Sequence, residues 1–247
     1  MNRTHLLFEL DALLNTSSFK DYCPNGLQIE GVDSINKIAI AVTASRAVIE
    51  AAANWGADAL LVHHGYFWKG EAAPLTGMKF ERVAHLIRHN INLIAYHLPL
   101  DAHPTLGNNA QLGQKLGFTA QGQLLSQDLV WHGLSDCRTL GELAGRVESV
   151  LGRTPTLIGA PDALVGKIGW CTGAAQGFIT DAAAFGLNTY LSGEVSERTF
   201  HEANELGVHY LACGHHATER YGVQALAAHI SAQFNLECRF FDENNPI

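Results

Sequence analysis

Residues 37–65, KIAIAVTASRAVIEAAANWGADALLVHHG, align without a gap on residues 167–195, KIGWCTGAAQGFITDAAAFGLNTYLSGEV. Lys37 meets Lys167, Ile38 meets Ile168, Ile49 meets Ile179, Trp55 meets Phe185 and Gly56 meets Gly186. Each copy reads as an apolar strand, a Thr/Gly/Ala turn, a small-residue helix, a glycine that ends it, and a second strand. A second likeness follows: INLIAYHLPLDAH (91–103) and VHYLACGHHATER (208–220) are both apolar strands running into histidine-containing loops. Strands alternating with helices of this length predict βα units with largely parallel pairing. The expected fold is α/β: two similar, interlinked lobes from an internal duplication, residues 1–125 and 126–247. Residues 121–160 would form a connector, and the C-terminal segment 236–247 could pack with the first lobe.

Helical periodicity supports this reading. Leu6, Leu10, Leu13 and Leu14 share one face, as do Met78, Arg82 (through its stem), Val83, Leu86 and Ile87. A helix is also expected near 139–151. No run of about 18 apolar residues occurs, and His5, Glu9 and Asp11 interrupt the N-terminal stretch that a signal peptide would need. Five cysteines without a CxxC pair predict reduced thiols and a cytoplasmic protein. A net charge of −8 argues against a chain-wide nucleic-acid surface.

In open α/β sheets, ligands bind beyond the carboxyl ends of the strands. In this chain those ends carry His63 and His64 in the first copy and Gly193 and Glu194 in the second. The following strands run into His97 and Asp101, and into His215 and Glu219. Adjacent residues of a strand face opposite ways, so His63-His64-Gly65 is expected to be a turn, with Gly65 supplying the backbone freedom. Imidazoles with carboxylates suit zinc, manganese, iron, cobalt or nickel, and the absence of thiolate argues against a structural zinc site. So many ligands exceed the need of one catalytic ion and fit two that share a carboxylate. His97 is either a direct ligand or the support of one. His5, His85, His89, His132, His201, His209 and His229 are read as ordinary surface or packing histidines, with His103 and His216 outside the set. Tyr66, Phe67 and Trp68 either stack on a substrate ring or pack the strand end; Tyr66 and Glu194 are the candidate substrate contacts.

PNGLQIEG (24–31), VTAS (42–45), HHGYFWKG (63–70), HLPLDAH (97–103), GNNAQL (107–112), GEVSE (193–197) and GHHATER (214–220) together resemble the Nif-three-like proteins, also known as GTP cyclohydrolase 1 type 2 homologues. The resemblance covers essentially the whole chain and is to the short bacterial form. It implies a dinuclear metal site between two α/β domains, with ligands on His63, His64, Asp101, His215 and Glu219, the last as bridge. It also implies a ring-shaped homohexamer. The expected activity is that of a metal-dependent hydrolase, in which metal-activated water opens a purine-type ring. The competing expectation is a metal-binding hexameric scaffold without catalysis, or a storage or redox role if iron is bound. No GxxxxGK[ST] loop is present to hold a triphosphate.

Overall fold

Asn2 starts the first helix, α1 (Arg3–Leu13), by accepting the Thr4 amide on its side-chain oxygen at 2.9 Å. In the computed structural model, which describes residues 1–124 and 129–247, the elements that follow are β1 (Gly26–Ile29), β2 (Lys37–Thr43), α2 (Arg46–Trp55) and β3 (Ala59–His64). Next come α3 (Gly77–Arg88), β4 (Asn92–Ala95) and the short α4 (Leu98–Ala102). The chain divides into two units, residues 1–107 with 222–244, and residues 108–221 with 245–247. The second contains α5 (Asn108–Leu116), β5 (Thr119–Leu124), β6 (Val130–Leu134), α6 (Leu140–Leu151), β7 (Thr156–Ile158) and β8 (Lys167–Trp170). It continues with α7 (Ile179–Ala184), β9 (Thr189–Ser192), α8 (Glu197–Leu206) and β10 (His209–Ala212). A long helix, α9 (His215–Phe234), and a last strand, β11 (Glu237–Phe240), complete the order.

The first unit is a five-stranded sheet in the order β1-β4-β3-β2-β11, parallel except for β1. Alternation along β2 decides its two faces. Ile38, Ile40 and Val42 join Leu6, Leu10, Val223, Leu226 and Ile230 in one core layer, while Ala39 and Ala41 meet Val48, Ile49, Val83 and Leu86 in the other. Both faces are covered, as a parallel sheet requires. Only the middle of α3 is buried, at Val83 and Leu86. Met78 and Ile87, read from the sequence as members of the buried face, lie at its two ends and are exposed.

The second unit carries a six-stranded sheet, β5-β6-β8-β9-β10-β7, with a parallel centre β8-β9-β10 and antiparallel flanks. Trp170 is fully buried there; its indole donates to the Asn109 carbonyl at 2.9 Å and its ring packs on Phe118 and Trp131. The expected division between residues 125 and 126 lies outside the described residues. Residues 108–124, assigned from the sequence to the first lobe, pack with the second unit. The stretch 121–160 is no mere connector, because it supplies β6, α6, β7 and part of β5.

The repeat survives in register. Ile38 pairs with Ala59 and Ile40 with Leu61 in the first sheet; Ile168 pairs with Thr189 and Trp170 with Leu191 in the second. Asp58 accepts the Lys37 amide on its side chain at 2.9 Å, and Asn188 accepts the Lys167 amide at 2.9 Å. Gly56 and Gly186 both turn the chain out of the helix with left-handed backbones (φ 74° and 80°).

Candidate metal centre

In the first unit both candidate histidines lie within β3, since Thr43 pairs with His64 and the Ala44 amide donates to the His64 carbonyl. The turn therefore begins after them. Their rings still approach to 4.5 Å between centroids, because side chains at the end of a strand reach past the edge of the sheet. Gly65 serves space rather than angle: a Cβ there would lie 2.2 Å from Gln28 Oε1 and 2.8 Å from the Ala95 side chain. Gln28 Oε1 in turn accepts the Tyr66 amide at 2.7 Å, fixing the exit from the strand.

His63 is completely buried, and its Nδ1 donates to the Tyr96 carbonyl at 2.9 Å. That bond fixes the ring so that Nε2 faces Asp101 Oδ1, 3.4 Å away. His97 is held in the same manner, with Nδ1 2.7 Å from Asp21 Oδ1. Asp21 also accepts the Leu98 amide and the Asn25 side-chain amide, both at 2.9 Å. Burial alone would raise the Asp21 carboxyl, but the His97 bond and charge outweigh it, with the Asn25 and Tyr22 contacts, and hold it at about 2. Thr43 Oγ1 lies 3.2 Å from His64 Nδ1. His63, His64 and His97 offer ring nitrogens within 4.8 Å of one another, a group that could hold a metal ion. Burial and the Asp21 charge push the neighbouring Cys23 thiol up to about 12, and Cys23 with Asp21 and His97 forms another group that could hold a metal ion.

Within the second unit, His215 opens α9 and Glu219 follows one turn later on the same face. His215 Nδ1 lies 2.7 Å from Glu194 Oε1, and Nε2 lies 3.1 Å from Glu219 Oε2. Burial would lower the pKa of this imidazole, but the Glu219 and Glu194 carboxylates raise it to about 9. The same two carboxylates favour any cation at Nε2. Glu194 occupies the position that His64 holds in the first copy. Gly193, in the position of His63, admits no side chain, since a Cβ there would sit 2.7 Å from both the Gly173 carbonyl and His215 Cα.

Tyr66, read as a candidate substrate contact, is a core residue. It belongs to the same core layer as Val48, Val62 and Val83, and its hydroxyl donates to the Ala44 carbonyl at 2.6 Å. Glu194 holds His215 through one oxygen and lines a cleft with the rest of its side chain. Asp21 escaped the sequence reading because an Asp before Tyr-Cys-Pro-Asn-Gly resembles any turn aspartate.

Imidazole and carboxylate donors at the carboxyl ends of parallel strands, with ring orientations fixed by hydrogen bonds, define an α/β protein equipped with side chains that could bind a transition metal. The profile of the Duf34/NIF3 (NGG1p interacting factor 3) family matches residues 1–246. The chain is 54% identical over 234 residues to a GTP cyclohydrolase 1 type 2 homolog of Neisseria meningitidis serogroup A, covering 94% of each chain. Its identity to the protein of that name in Escherichia coli K12 is 47%, over the full length of both. The solved structure of protein ybgI superposes with a TM-score of 0.96 at 46% identity, covering both chains completely. This chain belongs to the Duf34/NIF3 family.

Proposed function

We propose that the protein is a dinuclear metal-dependent hydrolase, in which His63, His64, Asp101, His215 and Glu219 would hold the ions. The observation that carries this reading is the fixed orientation of the imidazoles. His63 and His97 give Nδ1 to an oxygen acceptor and His215 places Nδ1 against Glu194, so that Nε2 is the nitrogen turned to neighbouring ligand groups. Nitrogen and oxygen donors without thiolate suit a catalytic rather than a structural site. When bound, such ions supply Lewis acidity that acidifies water and polarises an electrophilic carbon. The chain's own residues do the rest: Tyr96 and Asp21 fix the rings of the first unit, and Glu194 fixes His215 and faces its Nδ1 proton. The relatives named GTP cyclohydrolase 1 type 2 homolog support a purine-type ring as the group opened.

Two transition-metal ions per chain, falling in His215→Ala, is the expected result of elemental mass spectrometry. Formate released from GTP by the loaded protein and lost in His63→Ala is the expected result of the activity assay. Metal retained without hydrolysis of any purine nucleotide would instead make the chain a metal-binding scaffold. A cytoplasmic homohexamer completes the proposal. Phe8, Met78 and Ile87 on the first unit, and Phe185 and Phe200 on the second, are exposed apolar side chains of the kind that self-association covers. Light scattering is expected to give six times the 26.7 kDa chain mass. Among the described residues no helix is long and apolar enough to cross a membrane.

A further inference from the structure

Arg153 is a cation whose one hydrogen bond among the described residues goes to a main-chain carbonyl, that of Pro246. It follows Gly152, the left-handed residue that ends α6, and its guanidinium is pressed against the backbone of Gly214, the residue before His215. A Cβ on Gly214 would lie 2.4 Å from Arg153 Nη1, 2.7 Å from Cδ and 2.9 Å from Cζ. The chain satisfies little of this group. Nη1 donates to the Pro246 carbonyl at 2.6 Å, while Nε is buried and has no hydrogen-bond partner among the described residues. A guanidinium carries five donors in a planar fork, and one carbonyl leaves most of them unmatched.

The group borders a cleft of about 270 Å³ that lies within the second unit. Thr156, Gly193, Glu194, Ala212 and Ile247 also line it, and Arg153 is the only cationic side chain among the lining residues. Glu194 is the one acidic side chain there, and its Oε1 is turned to His215. A cation backed against the loop that carries His215, beside a cavity of small-molecule size, suits a ligand oxyanion. We infer that this cleft is an anion subsite in which Arg153 holds the phosphate or carboxylate of a small molecule. The inference rests on the hydrolase reading only in taking that molecule to be the one acted on.

The test is calorimetric titration of inorganic phosphate and of acetate into full-length protein, both chelator-treated and metal-reloaded, as wild type, Arg153→Ala and Arg153→Lys. Chelator-treated wild type is expected to bind at least one anion saturably. Arg153→Ala should weaken that binding by about tenfold or more, as loss of a charge-assisted fork predicts. Arg153→Lys should recover part of it, since it keeps the charge and loses the fork. Metal content of the reloaded Arg153→Ala protein should match wild type. Phosphate bound in preference to acetate marks a phosphorylated ligand, and equal binding marks a carboxylate. If Arg153→Ala does not fold, Arg153→Lys decides, with a severalfold loss expected. Absence of saturable binding in wild type, or wild-type affinity in the variants that fold, overturns the inference. Failure of metal uptake or of formate release would sink the hydrolase reading alone, because the chelator-treated arm needs neither.

Discussion

Gly173→Ala perturbs the carboxylate of Glu219 without touching the residue itself. Gly173 has φ +67°, and a Cβ built on it lies 2.1 Å from Glu219 Oε1 and 3.2 Å from His215 Nε2. The first distance is roughly 1 Å shorter than a carbon and an oxygen tolerate at contact. Glu219 must therefore swing away, and Gly193 bars the loop from retreating, because its own missing side chain lets the Gly173 carbonyl pack there. The left-handed backbone costs an alanine about 1–2 kcal/mol in addition. Displacing a ligand or its support typically weakens metal binding by about 10–100-fold, near 1.4 kcal/mol for each decade. Competition with a chromophoric chelator should show that loss, together with a fall of several degrees in melting temperature. Gly177→Ala is the control: it lies nearby in sequence, has no neighbour within 4 Å, and should leave the metal affinity unchanged. A Gly173→Ala protein that melts earlier yet binds metal within about threefold of wild type would refute the assignment of Glu219 as a ligand.

Three further outcomes are expected. Asp21→Asn removes the charge on His97 Nδ1 while keeping an acceptor, and should weaken metal binding by about tenfold; unchanged affinity in chelator competition would reduce Asp21 to a turn residue. Asn92→Ala should cost about 2–4 kcal/mol in chemical denaturation, because the buried side chain accepts the Gly31 amide at 2.8 Å and donates to the Val32 and Asp58 carbonyls at 2.8 and 3.0 Å. Gly56→Ala and Gly186→Ala should each cost about 1 kcal/mol, since both have open space around the new methyl and differ from an ordinary site only in backbone angle; a large disparity between them would show that the repeat does not extend to its helix ends.

The duplicated strand–helix–strand was readable because periodicity, the terminating glycine and the Asp58/Asn188 position all repeat together. Burial of apolar residues on both faces of a parallel strand leaves a continuous hydrophobic run that the eye finds. Edge strands were harder. β1 and β7, which pair antiparallel, and β11, which pairs parallel with β2, are three or four residues long, and their pairing is decided by partners distant in sequence. The candidate site residues were legible in the sequence by type and strand-end position, whereas the groups that hold them were not. Tyr96 contributes a backbone carbonyl and Gly173 an absence of side chain, and neither leaves a chemical trace in the sequence. For Tyr66 the sequence left substrate stacking and strand-end packing both open, and the strand exit turns it into the core.

The long helix α9 begins with His215 and Glu219 among the residues of the second unit and then gives Val223, Leu226 and Ile230 to the core of the first. β11 follows and closes the open side of β2. During synthesis, then, the first unit is begun earliest and finished last. Its half-built sheet must wait, with β2 as an unprotected edge, while the whole second unit is made. No cut in the chain yields the first unit in one continuous piece, so a truncation that seems to isolate it would discard the helix and strand that complete it. The ordering also ties the residues of α9's first turn to the last folding event, since the segment that carries them is the one that seals the earlier sheet.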